Sequence, residues 1–242
     1  MDLPPYLQPF VLAPPEIQPE RDGALDVYRP AGKTGGPLPV IVFVPGGPVP
    51  PDLRPRPREW PVFRGYGSLA ASSGAVGVVV DHPLRSTTDY PLAADAITAA
   101  ADRARGLPGV DSGRVALWFF SGAGLLTTGW IGAAPDWLRC VATSYPVLVP
   151  PPGWEVDPRF RPVESLAAAG SPPLLLTRAG REDPGLAAGV ADFVAEAGRR
   201  GADLDVIDVP HGRHSFDVLD HDPSSRAAVT QAMAWTMRKL NR

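Results

Sequence analysis

Three residue types that together can run acyl transfer occur in one order along this chain: Ser121, then Asp183, then His214. A free serine hydroxyl is a poor nucleophile at neutral pH, so it needs an imidazole to take its proton. The imidazole in turn needs a carboxylate to hold its tautomer and to stabilise the cation that forms. Each of the three stands just beyond an apolar, strand-like run. Val115-Ala-Leu-Trp-Phe-Phe120 ends at Ser121, with the small residues Gly122-Ala-Gly124 following. Leu174-Leu-Leu-Thr177 leads to a turn, Gly180-Arg-Glu, and then Asp183-Pro184. His214 lies in Val209-Pro-His-Gly-Arg-His214-Ser-Phe-Asp217. There His-x-Phe leaves an aromatic to pack beneath while the imidazole faces a cleft. His211 precedes Gly212 and reads as a residue that shapes the loop. Glu182 is the alternative acid; Asp183 is preferred because Gly-x-x-Asp-Pro sets the shorter acid after the turn. Asp217, close in sequence to His214, reads as a local loop carboxylate.

Acyl transfer also needs hydrogen-bond donors where negative charge develops on the carbonyl oxygen, and losing one costs ~10²–10³ in rate. The residue after the nucleophile supplies one amide, here Gly122. A second is expected from Gly46 or Gly47, in the turn Pro45-Gly-Gly-Pro48 after the apolar run 39–44. Glycines there allow the backbone to turn its N–H groups inward. Gly122-Ala-Gly124 is not a dinucleotide fingerprint: Thr127 stands where the third glycine belongs, and the segment does not follow the first strand. Trp60, Phe63, Tyr145 and Trp154 fall in loops at the same end of the sheet and are expected to line a substrate pocket. His82, just after the strand ending at Asp81, is expected to contact substrate. Arg54, Arg56, Arg58 and Arg64 alternate with prolines; they read as a solvated, semi-rigid loop, or else as a lure for an anionic substrate.

The elements that must position these residues alternate between strand and helix. Strands are expected at 24–29 (a short edge strand), 39–44, 75–81, 114–120, 139–145, 173–177 and 202–209. Helices are expected at 66–73, 91–105, 186–200 and 224–239, with a helix-like pattern after Ser121. That alternation implies an α/β protein: a mainly parallel central sheet with helices on both faces, in one domain over residues 1–242. Residues 1–23, rich in proline, read as a surface arm. The loops at 45–64 and 146–163 are too short for a separate lid, so little or no cap is expected.

Bulk properties narrow the function. The 242 residues carry a formal charge of −3, which favours neither nucleic acid nor a membrane surface as partner. No apolar run approaches the ~20 residues of a bilayer span, and the N-terminal segment does not read as a secretory signal. The single cysteine, Cys140, excludes an intramolecular disulfide and fits a reducing cytoplasm; it reads as an inert core thiol. The expected partner is a small acyl substrate, and the apolar closing helix is a candidate homodimer contact.

Taken together, Ser121 after its strand, the acid after the 173–177 run, His214 and Pro45-Gly46-Gly47 resemble the α/β-hydrolase superfamily, nearest its small esterases and dienelactone-hydrolase-like members. The resemblance spans roughly residues 24–240. Where the family pattern reads Gly-x-Ser-x-Gly, this chain has Phe119 two before the serine and Ala123 two after it, with Gly124 next. The resemblance implies attack by Ser121 on an ester or related acyl carbonyl, an acyl-enzyme, and no metal or organic cofactor. It also leaves room for the same residues to run a non-hydrolytic cyclisation or acyl transfer, or for a silent binding protein.

Overall fold

The computed structural model describes residues 3–32, 35–168 and 170–242; the first two residues of the expected arm lie outside this set. In chain order the elements are β1 (Glu20–Asp22), β2 (Leu25–Tyr28), β3 (Leu38–Val44), α1 (Pro61–Ser72), β4 (Val76–Val80), α2 (Tyr90–Arg105) and β5 (Val110–Phe120). They continue with α3 (Thr128–Ile131), β6 (Leu138–Ser144), α4 (Pro162–Ser165), β7 (Leu174–Arg181), α5 (Pro184–Arg200), β8 (Leu204–Arg213), α6 (Phe216–Leu219) and α7 (Pro223–Leu240).

The eight strands form one sheet in the order β1-β2-β4-β3-β5-β6-β7-β8. From β4 through β8 all neighbours are parallel, while β2 runs antiparallel to both β1 and β4. Helices cover both faces, as expected from the apolar runs. In β3, Val40, Val42 and Val44 belong to the core packed by α2 and α5, whereas Ile41 and Phe43 belong to the core packed by α1 and α7. A strand covered on both faces has no polar side, which is why this run lacks the alternation of a half-exposed strand.

The chain leaves β3 for β4 on one side and returns for β5 on the other. Loops at the carboxyl ends of β3 and β5 therefore diverge and leave a crevice, the usual ligand position in open parallel sheets. Pro45-Gly46-Gly47 and Ser121 stand at that crevice, following β3 and β5 respectively.

Four details differ from the sequence reading. The strand expected at the edge is instead β2, buried throughout, because Glu20–Asp22 pairs outside it as β1. The arm is more than a surface strip: Phe10 and Val11 are buried, and the Val11 amide donates to the Asp217 carbonyl at 2.8 Å. Helix α1 begins at Pro61, where proline's fixed φ suits the first turn. After Ser121 there is no long helix but a 3-10 segment, Ser121–Thr127, followed by the single turn of α3. Cys140 is buried in β6, and burial pushes its thiol pKa up, as expected of an inert core thiol. No helix among the described residues is long and apolar enough to cross a membrane.

Candidate active site

Ser121 sits at the end of β5 with φ +49°, in the left-handed region that side chains rarely adopt. Two contacts hold it there. Val147 N–H donates to the Ser121 carbonyl at 2.9 Å, and the Tyr90 hydroxyl, at the start of α2, donates to the Gly122 carbonyl at 2.8 Å. Phe119 replaces a glycine of the family pattern without crowding the turn, because its side chain enters the α2/α5 core. Close approach instead occurs after the serine: a Cβ on Gly122 would overlap the Gly47 carbonyl, and one on Gly124 would overlap the Val147 carbonyl.

The imidazole of His214 bridges the serine to an acid. Ser121 Oγ lies 2.7 Å from Nε2, and Glu182 Oε2 lies 2.6 Å from Nδ1. With a neutral ring, Nδ1–H donates to Glu182 and Nε2 accepts from the serine hydroxyl, the arrangement a general base requires. The Glu182 side chain is only 7% exposed, and its second oxygen accepts from the Asp183 amide at 2.9 Å.

The sequence reading prefers Asp183 as the acid, and the structure corrects this. Asp183 is exposed and caps α5, its Oδ1 accepting from Gly185 N–H at 2.8 Å and Leu186 N–H at 3.4 Å. Asp followed by Pro is an N-cap and first-turn pair, so the carboxylate is turned toward the helix amides. The preceding residue then faces the crevice. Asp183-Pro184 is itself the signal that distinguishes the two.

Gly46 and Gly47 line the same cavity as Ser121, and a Cβ on Gly46 would lie 2.9 Å from the serine Cβ. Among the described residues no protein acceptor takes the amides of Gly46, Gly47 or Gly122. His82 does not contact this cavity, contrary to expectation. It is buried beneath the loop, with Nε2 2.7 Å from the Pro45 carbonyl and Nδ1 accepting from Leu84 N–H at 3.4 Å. Burial pushes its pKa down to about 4, so the ring is neutral and serves to pin the glycine turn.

The cavity has a volume of about 340 Å³ and opens on the α1/α7 side of the sheet. Trp60, Phe63 and Tyr145 line it, together with Val62, Phe120 and Val218. Tyr6 of the N-terminal arm closes one wall, its ring centroid 5.0 Å from that of Trp60. Among the described residues the lining holds no Asp, Glu, Lys or Arg. Trp154, the fourth expected aromatic, lies elsewhere. Val147, Leu148 and Phe160 carry the 146–161 excursion onto the α2/α5 core, and Trp154 packs there, on the opposite face.

The arginine loop also stands apart from the cavity. Arg56, Arg58 and Arg85 surround Asp81 at 3.5–3.9 Å, and Arg64 pairs with Glu16 at 2.8 Å. Among the described residues no group of three or more His, Cys, Asp or Glu side chains is placed to hold a metal ion.

All three non-glycine residues with left-handed backbone among the described set, Ser121, Tyr145 and Ser215, line this one cavity. Strain of this kind costs ~1–3 kcal/mol each and persists where surrounding structure over-determines it, most often at functional sites.

No family model matches the sequence, and no curated protein matches it. Solved structures do match in shape. An esterase from Thermogutta terrifontis, Est2, superposes with a TM-score of 0.71 at 18% identity, over 88% of this chain and 86% of that one. A doubly substituted form of the esterase rPPE superposes with a TM-score of 0.70 at 21% identity, over 99% of this chain and 85% of that one. At these identities the likeness shows the fold, which is the α/β-hydrolase fold.

Proposed function

We propose that this protein is a serine esterase that hydrolyses a small, uncharged carboxylic ester through an acyl-enzyme. The observation that carries the reading is the unbroken line from Glu182 through His214 to Ser121 at the floor of an apolar cavity. Ser121 Oγ attacks the ester carbonyl as His214 Nε2 takes its proton, and Glu182 stabilises the resulting imidazolium. The amides of Gly122 and of Gly46 or Gly47 receive the oxyanion. His214 then returns the proton to the leaving alcohol, and a water activated by the same imidazole releases the acid.

The absence of charged side chains from the lining favours a neutral apolar acyl or alcohol group, since an ionised one would be desolvated without a partner. The comparison supports the same chemistry: the Thermogutta esterase has been captured with butyrate, with propionate, and phosphoramylated by tabun.

The test is hydrolysis of p-nitrophenyl esters from acetate to octanoate by wild type, Ser121→Ala and His214→Ala. Loss of ~10³-fold or more in both variants is expected. A wild type no faster than Ser121→Ala overturns the reading. Covalent capture of Ser121 by a fluorophosphonate checks nucleophile activation independently of the substrate chosen.

A further inference from the structure

One tyrosine away from the imidazole lies a second carboxylate that the reaction above does not use. Asp217 is 0% exposed. Its Oδ2 accepts from the Tyr66 hydroxyl at 2.9 Å, and both its oxygens accept from the Tyr145 hydroxyl at 2.9 Å. Tyr145 in turn packs edge-to-face with His214, with centroids 5.0 Å apart, and holds a left-handed backbone with φ +39°. Three segments far apart in sequence thus converge on one buried acid: α1, the end of β6, and α6.

We infer that Asp217 is a positioning residue for His214: through the Tyr145 hydroxyl it fixes the ring on which the imidazole rests, and as an anion it adds a second negative charge to the imidazolium's surroundings. The inference deepens the esterase reading and rests on it for the role of His214 as base. When the serine proton passes to Nε2, the new positive charge faces Glu182 at Nδ1 and lies in the field of Asp217. No proton moves to Asp217; both tyrosines remain donors to it.

The geometry makes this charge titratable. Tyr66, Tyr145 and His214 are the ionisable groups that face Asp217. Burial raises its pKa to about 6, against the opposing pull of the two hydroxyl donors and of His214. Activity on the acid side then requires an ionised Asp217 as well as a neutral base, and the two groups interact electrostatically.

The decisive variant is Tyr66→Phe, which keeps the ring, lies outside the cavity lining and removes one donor from the carboxylate. Losing that donor raises the Asp217 pKa. The acid limb of kcat/KM for p-nitrophenyl acetate is therefore expected to move to higher pH, with the alkaline plateau unchanged. Asp217→Asn is expected to turn a limb steeper than one proton into a single-proton limb and to lower the plateau. A Tyr66→Phe profile superimposable on wild type, with only the melting temperature changed, overturns the inference. Proton NMR of the His214 ring follows the same coupling without turnover. Wild type is expected to show a second inflection near pH 6 that Tyr66→Phe displaces upward; a single inflection, identical in both, overturns the proposal. If wild type hydrolyses no ester, the esterase reading fails and the ring titration still decides Asp217.

Discussion

Glu182 meets the His214 imidazole at 2.6 Å, while the next residue, Asp183, turns away to cap a helix. Asp183 is engaged by the Gly185 and Leu186 amides at the start of α5, which leaves Glu182 to face the crevice. Glu182→Gln keeps the shape but supplies an amide in place of the carboxylate that holds the tautomer. Its kcat is expected to fall ~10³–10⁴-fold. Asp183→Ala removes a cap, so stability is expected to fall by ~0.5–2 kcal/mol with activity nearly unchanged. Parallel kinetics and urea melts of the two variants check this; equal losses of kcat would reject Glu182 as the orienting acid.

Tyr6 and Trp60 meet across the mouth of the cavity, so the N-terminal arm sets its size on one side. Removing either ring in Tyr6→Ala or Trp60→Ala forfeits an aromatic contact of ~0.5–1.5 kcal/mol and widens the wall. The ratio of kcat/KM for octanoate over acetate is expected to rise by ~3–10-fold, about what that energy amounts to. An unchanged chain-length profile in both variants would place the acyl group elsewhere.

His82 binds the Pro45 carbonyl as a neutral ring, with its pKa lowered from 6.5 to about 4. Between those values the unfolded chain binds a proton that the folded chain refuses, so stability from this site is present above pH 6.5 and is lost as pH falls toward 4. At ~1.4 kcal/mol per unit, the stability gap between wild type and His82→Gln is expected to narrow by about 3 kcal/mol over that window. Asp217, raised from 3.8 to about 6, has the opposite sign: the folded chain holds the extra proton, and stability falls as pH rises through the same range. In wild type the two slopes oppose each other, and His82→Gln exposes the Asp217 slope. Denaturant midpoints measured every half unit from about pH 4 to 7 give both signs, and a gap that widens toward pH 4 contradicts the His82 assignment.

Gly122 and Gly129 flank one short stretch of chain, yet they face opposite demands. A methyl on Gly122 has only the Gly47 carbonyl to enter, whereas nothing lies within 4 Å of one on Gly129 in α3. Gly122→Ala is expected to cost ~3 kcal/mol or more and to displace the glycine turn. Gly129→Ala is expected to gain up to ~1 kcal/mol. Thermal melts separate the two; a tolerated Gly122→Ala would mean the two loops are not in contact.

By itself the sequence determined the parts whose signals are local. Continuous apolar runs specify strands buried on both faces, and the strand-to-helix alternation specifies their parallel order. A serine ending one such run, a histidine beyond another and a double glycine beyond a third mark the crevice, because loops at one end of a parallel sheet share one rim. Tertiary structure decided what depends on direction and on distance through space. It chose Glu182 over Asp183 by setting the one against His214 and the other against the first amides of α5. It sent Trp154 to the far face with its excursion and drew His82 under the glycine turn. It also made the arm a wall of the cavity. Asp217 shows the limit most plainly: read as a loop carboxylate, it is a buried acid held by tyrosines 151 and 72 residues away. Contacts of such separation are products of packing between elements, and no pattern along the chain encodes them locally.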